Sequence, residues 1–424
     1  MGLITSFQYT PKINSQPQNA IEALNLADKR RVDLVMISDS NGLNLGYGFD
    51  SGFQAALSTK YNMYATSIMS ANEGSYGVGY KYGASYPGSS QGVSSGATTS
   101  VDNLWNFKDL TPHAYTYFTG GAKFPTNNGV SIAGDCPINV NDSLMAHFCY
   151  AKISTNFGTF QPAFTSNLST VFGTVTSNQG TNGQIGYYEL PIIAGNRSGG
   201  GSNLKWTATS GEEISSDFIA LYSRLENPNK ITGFSVSPLI SHAGKSMPNF
   251  AAGLAAMPDE TLITYFSEIR RLQEVKGYKP LIILYLNTGV NDRNGSASVG
   301  TPTLGMGAYT SGGGGKWYFD NYSYIVKRIQ DIYVSKSWDL SGLFFLLVPS
   351  HPLTTPEHTD LTSFRSFSKT WANKANIQVI DTTLYVTPEY MFANDWYNGS
   401  NGDIHLSEAG YLGIATRIIN NTLL

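Results

Sequence analysis

Charge is scarce in this chain. Lys and Arg number 27 and Asp and Glu 30 in 424 residues, only 13% in all, and they leave a net charge of -3. No basic run longer than Lys29-Arg30-Arg31 occurs, which argues against an electrostatic grip on nucleic acid. Cysteine is nearly absent. Cys136 and Cys149 lie close together in the middle of the chain, either as a local disulfide if the protein works outside the cell or as two buried free thiols. No apolar run reaches the length of a membrane span. The start, Met1-Gly2-Leu3-Ile4-Thr5-Ser6-Phe7, has no basic region followed by a long apolar segment, so no secretory signal is visible.

What is plentiful is Gly (44) and Tyr (26), with frequent Ser, Thr and Asn, a composition common in β-rich extracellular or virion proteins that touch sugars. The chain is 41% hydrophobic, enough for an ample core, and longer than one ordinary domain, so one large core with an elaborated second unit is expected.

Along the chain, residues 1–31 read as a polar arm and a short helix, Ala20 to Arg30. Strand-like Val32 to Ile37 follows, then a helix from Phe49 to Tyr61 and a strand from Met63 to Ser70. From about 85 to 232, Gly/Ser/Thr/Asn clusters separate short alternating runs such as Gln184 to Leu190 and Asp217 to Tyr222. That pattern is antiparallel strands with loops, an inserted β-rich, sandwich-like module. After it the pattern becomes strand Phe234–Ser241, helix Asp259–Val275, strand Leu281–Leu286, helix Tyr318–Tyr333, strand Leu343–Val348, helix Asp360–Lys374, strand Ile377–Ile380 and helix Glu408–Asn421. Strands alternating with helices imply an α/β fold, a parallel sheet between helices with right-handed crossovers and catalytic loops at the strands' carboxyl ends. The expected division is an arm (1–31), a core (32–84 and 233–424) and the insert (85–232).

Three short segments carry chemistry. Ser38-Asp39-Ser40-Asn41 directly follows the first apolar strand, where a small-residue turn projects a hydroxyl at the sheet's carboxyl edge. Gly289-Val290-Asn291-Asp292 follows the strand ending at Leu286. Asp403-Ile404-His405-Leu406-Ser407 opens the last helix. A serine needs a base to take its proton and an acid to orient that base. His405, on a loop before a helix, is the best-placed histidine for the task.

In this order and setting the three segments resemble the SGNH (GDSL-type) family of serine esterases. The family's Gly-Asp-Ser appears as Ser38-Asp39-Ser40, its Gly-x-Asn-Asp is intact at Gly289 to Asp292, and its final Asp and His appear as Asp403 and His405. The resemblance covers about residues 32–85 and 235–424. It implies a flavodoxin-like SGNH core and a metal-independent, cofactor-free hydrolase. In that reading Ser40 is the nucleophile, His405 the base and Asp403 its orienting acid. The oxyanion is held by the Ser40 N–H, the Asn291 amide and a glycine N–H. Gly244, in the loop after Phe234–Ser241, is preferred for that glycine over Gly74, and Asp292 is expected to be a structural partner of its loop.

Two departures stand out. Ser38 replaces the family's glycine, and Asp403 lies two residues before His405 where the family has three. Asp395, or a Ser-His dyad, is the alternative arrangement. The resemblance further implies an acylated carbohydrate substrate, with O-acetyl groups on a polysaccharide favoured, or a small ester. A signal-free chain of this kind is also similar to esterase modules of bacteriophage tails. That implies an extracellular or virion-associated place, attachment to a virion structure or a homo-oligomer, and no nucleic-acid or membrane partner. The competing expectation is a virion or surface carbohydrate-binding protein with a vestigial site.

Other motifs point nowhere. Gly244-Lys245-Ser246 ends like a phosphate-binding loop, but Leu239 stands where the first glycine is needed. His351, His358 and Asp360 fit no standard metal spacing.

Overall fold

The computed structural model describes residues 17–43, 48–72, 79–81, 98–99, 122–123, 131–136, 143–152, 159–164, 173–176, 185–192, 202–208, 218–241, 246–290, 292, 314–352, 365–366, 369, 376–397 and 405–423. Nine strands form the backbone of its large sheet: β1 (Arg31–Ser38), β2 (Met63–Asn72), β3 (Leu144–Lys152), β4 (Ile185–Ile192), β5 (Phe218–Glu226), β6 (Gly233–Ser241), β7 (Ile282–Thr288), β8 (Leu343–Pro349) and β9 (Ile377–Val379). Their order is β4-β3-β5-β2-β6-β1-β7-β8-β9, with three further short strands alongside.

The five strands β6-β1-β7-β8-β9 are joined in parallel throughout. Every residue of β1, β7 and β8 is buried, as near-continuous apolar runs demand when helices cover both faces of a sheet. The helices Met247–Ala256 and Asp259–Glu274 connect β6 to β7, and Gly314–Ser335 lies between β7 and β8. In chain order these five strands read 2-1-3-4-5, the flavodoxin-like order. β1 therefore has its successors on opposite sides, and its carboxyl end is the topological switch point where such sheets open a crevice.

The terminal helix Glu408–Thr422 packs against the helix Phe49–Ser58. Their approach is close at Gly52, where an added Cβ would lie 2.9 Å from the Tyr411 carbonyl. Phe49, Phe53 and Tyr285 stack between that helix and β7, with centroids 5.1 to 6.4 Å apart.

The β-rich character expected of residues 85–232 is present, but its strands are divided between two sheets. β3, β4 and β5 run antiparallel and continue the core sheet. The strands Ser131–Cys136, Thr159–Phe164, Val175–Thr176 and Ser202–Ala208 form a second, four-stranded antiparallel sheet. The hinge between the two regimes is β2. Its first residues pair in parallel with β6, and its remainder pairs antiparallel with β5. An edge of the core sheet is thereby covered instead of left as an open row of donors and acceptors.

Buried charge crosses the same junction. Arg31 binds Asp33 through two nitrogens at 2.8 and 3.0 Å and reaches Glu226 of β5 at 3.1 Å, while Arg224 of β5 binds Asp33 at 3.1 Å. Ser235 Oγ donates to Asp33 as well. All four charged groups are fully or almost fully buried, a burial tolerable only because each is paired. Cys149 is a buried free thiol. Most of the expected helix Asp360–Lys374 lies outside the described residues.

Candidate active site

β1 ends at Ser38, which pairs with Asn287 of β7 on one side and Ser241 of β6 on the other. A one-turn helix, Ser40–Leu43, starts immediately after. Asp39, fully buried, ties that turn to the next strand. Its N–H donates to the Asn287 carbonyl at 3.1 Å, Oδ1 accepts the Asn41 N–H at 2.8 Å and Oδ2 accepts the Gly289 N–H at 3.1 Å. Burial raises this carboxyl to about 7 against the stabilising pull of the backbone N–H groups around it.

Gly289 has φ +124, a conformation that side chains resist, so the first residue of the Gly-x-Asn-Asp block is a glycine for a backbone reason. Asp292 closes the same loop. Its two carboxylate oxygens accept the Met247 N–H, each at 3.1 Å, at the start of the helix Met247–Ala256. It holds together the loop after β7 and the helix after β6.

The turn after β1 is buttressed from below by Asp50. Ser38 Oγ donates to Asp50 Oδ2 at 2.5 Å, and burial, with the charge of Asp39 adding to it, lifts Asp50 to about 7. Gly42 leaves the room: a Cβ there would come within 2.4 Å of Ser38 Cβ.

From the carboxyl terminus, His405 is half-buried just before the last helix. Leu406 bridges to Tyr397, and Ser407 caps the helix by accepting the Gly410 N–H at 3.2 Å. One turn in, Tyr411 donates to Asn41 Oδ1 at 2.7 Å. The helix that carries His405 at its mouth is thus fastened to the residue beside Ser40. Asn41, Asn287, Ser350, His351, Thr382 and Tyr411 surround a small cavity of about 10 Å³, room for about one water.

The structure brings Ser38, Asp39, Asn41, Gly289 and Asp292 to one edge of the sheet. The Ser40 side chain and residues Asp403, Gly244, Gly74 and Asn291 lie outside the described residues, as do His358 and Asp360. β6 leads to the Gly244 segment from Ser241, the partner of Ser38. Asp395 is exposed, at φ +54, and its carbonyl accepts the Ser407 hydroxyl at 3.1 Å. Sequence reasoning missed Asp50, Tyr411 and the setting of His351, which is buried at the end of β8 on the same edge. His351 stands directly after an apolar strand, a signal open to reading; Asp50 and Tyr411 carry none.

No protein-family model matches the chain, and no curated protein matches it. Among solved structures, a family two carbohydrate esterase from Clostridium thermocellum in complex with cellohexaose aligns with 71% of this chain and 94% of its own length, at 11% identity and a TM-score of 0.27. The carbohydrate-binding module CBM36 in complex with calcium and xylotriose aligns with 38% of this chain and 98% of its own, at 9% identity and a TM-score of 0.23. The CBM36-1 domain of a multidomain xylanase from the hindgut metagenome of Trinervitermes trinervoides aligns with 26% and 81%, at 13% identity and a TM-score of 0.20. Likenesses this distant carry no argument about this chain. No helix among the described residues is long and apolar enough to cross a membrane.

Proposed function

We propose that this protein is a serine ester hydrolase of the SGNH type that removes acyl groups, O-acetyl groups first among them, from a carbohydrate. The observation that carries the reading is the convergence at the switch point. Asp39 bonds the turn of Ser40 to Gly289 of the Gly-x-Asn-Asp segment, and Asn41 bonds it to Tyr411 of the helix that follows His405.

In this mechanism Ser40 Oγ attacks the ester carbonyl while His405 takes its proton. The resulting oxyanion is held by the Ser40 N–H, the Gly244 N–H and the Asn291 amide, donors fixed before charge develops. His405 returns the proton to the departing alcohol, and a water repeats the sequence to release the acid and free Ser40. Asp403 orients the imidazole. No step calls for a metal or cofactor. The carbohydrate assignment rests on the family resemblance and on the Gly- and Tyr-rich composition. The insert 85–232 supplies the surface that selects a polymeric substrate, and an extracellular or virion setting follows from the same composition.

The test is hydrolysis of p-nitrophenyl acetate by the wild type and by Ser40→Ala. Loss of about 10³-fold or more in kcat is expected, since triad members act as a unit. Near-normal turnover by Ser40→Ala would end the hypothesis, and no turnover by the wild type would favour a carbohydrate-binding surface protein with a vestigial site.

A further inference from the structure

At the opposite end of the sheet from the candidate active site, His147 of β3 stands directly across from Glu189 of β4. The imidazole is only 3% exposed, and neither ring nitrogen has a hydrogen-bond partner. Its Nδ1 faces Glu189 Oε1 at 3.4 Å and Glu268 Oε1, on the helix Asp259–Glu274, at 3.7 Å. Nε2 faces Glu226 of β5 at 3.8 Å. One donor atom from each of His147, Glu189 and Glu268 lies within 4.8 Å of the other two.

We propose that His147, Glu189 and Glu268 form a structural binding site for a zinc-like divalent cation that fastens the inserted strands β3 and β4 to the core helix Asp259–Glu274. The spacing supports it. Donors bound tetrahedrally at about 2.1 Å from a common ion lie roughly 3.4 Å apart, close to the separations from Nδ1 and longer than a good hydrogen bond. An imidazole nitrogen and two carboxylate oxygens, with a water in the fourth position, are donors of the types zinc accepts. Arg271 currently spans the carboxylates, binding Glu268 at 2.8 Å and also Glu189. Its side chain is 43% exposed, so it can swing to solvent and yield its place.

The charge balance allows the exchange. Around His147 the carboxylates of Asp33, Glu189, Glu226 and Glu268 face the guanidiniums of Arg31, Arg224 and Arg271, leaving one negative charge over. The ion would join three segments distant in sequence, and metal bound only by the folded state stabilises it by mass action. The site lies by the amino end of β1, so the proposal stands or falls independently of the esterase reading.

The experiment strips the full chain with a chelator and titrates Zn²⁺ by calorimetry, with thermal unfolding at each addition. One equivalent should bind at micromolar concentration or tighter, the melting temperature should rise with Zn²⁺, and Glu189→Gln should weaken binding at least tenfold. Arg271→Gln should tighten it at least tenfold by removing the competing cation. Glu189 and Arg271 are partly exposed, so neither variant threatens folding. Absence of saturable binding in the wild type overturns the proposal, as does binding that Glu189→Gln leaves unchanged.

Discussion

Tyr411, in the last helix, donates its hydroxyl to Asn41 Oδ1 across 2.7 Å, linking residues 370 positions apart in sequence. Both side chains are buried. The bond fixes the spacing between the helix mouth that bears His405 and the turn that bears Ser40. Tyr411→Phe keeps the ring and leaves the Asn41 carbonyl oxygen without this donor in a buried place, a loss of about 1–3 kcal/mol. The expected result is a lower Tm together with a fall in kcat on p-nitrophenyl acetate. A variant as active as the wild type would detach this bond from catalysis.

His405→Ala should abolish most turnover, and the double variant with Ser40→Ala should be little worse than either single one. His351, buried beside Asn41 in the wall of the same cavity, is the control. His351→Gln should retain activity. The reverse ranking of the two histidines would move the base to the end of β8.

The orienting acid is tested in the same assay. Asp403→Asn should reduce kcat strongly, because an amide favours the wrong imidazole tautomer. Asp395→Asn should be nearly silent, given that Asp395 is exposed and engages Ser407 through its carbonyl. A crippled Asp395→Asn beside an active Asp403→Asn would reassign the acid.

Asn291→Ala should lower kcat by about 10² to 10³ with little change in KM, the usual cost of deleting one oxyanion donor. An effect confined to KM would make Asn291 a substrate-binding residue instead.

Asp39 and Asp50 make stability depend on pH. Burial raises both to about 7 in the folded protein, against an ordinary value of 3.8. The folded state therefore holds protons that the unfolded chain has already released between about pH 4 and 7. Stability from these groups is fully present below that window and is lost as pH rises through it. The wild-type melting temperature should accordingly fall between pH 5 and pH 8, and Asp50→Asn should flatten the fall. An unchanged slope in Asp50→Asn would mean that Asp50 is already ionised at pH 5.

Much of the framework was readable locally. Leu281 to Leu286 and Leu343 to Val348 are unbroken apolar runs, Val32 to Ile37 is one interrupted only by Asp33, and each became a fully buried parallel strand within two residues of the expected ends. The helix Asp259–Glu274 was equally plain from its spacing, and its Leu262, Tyr265, Phe266, Ile269 and Leu272 are all buried. The β-rich middle was recognisable as such, whereas its division into a continuation of the core sheet and a second sheet was not. That division rests on β2 changing partner from β6 to β5, and no residue of β2 announces which strand will lie beside it.

The sequence by itself determined the chemical repertoire and the order of the blocks: a serine after the first strand, a Gly-x-Asn-Asp turn after another, and a histidine before the last helix. The reason Gly289 is glycine came from the structure, where its backbone turns to positive φ. Only the tertiary structure decided that β1 lies between β6 and β7, so that their carboxyl ends meet, and that Asp50 supports Ser38 while Tyr411 holds Asn41. It likewise decided that His147, Glu189 and Glu268 face one another. Local patterning specifies which face of an element is apolar, but the partners of buried polar groups are chosen by where distant segments pack, and desolvation makes those choices strict.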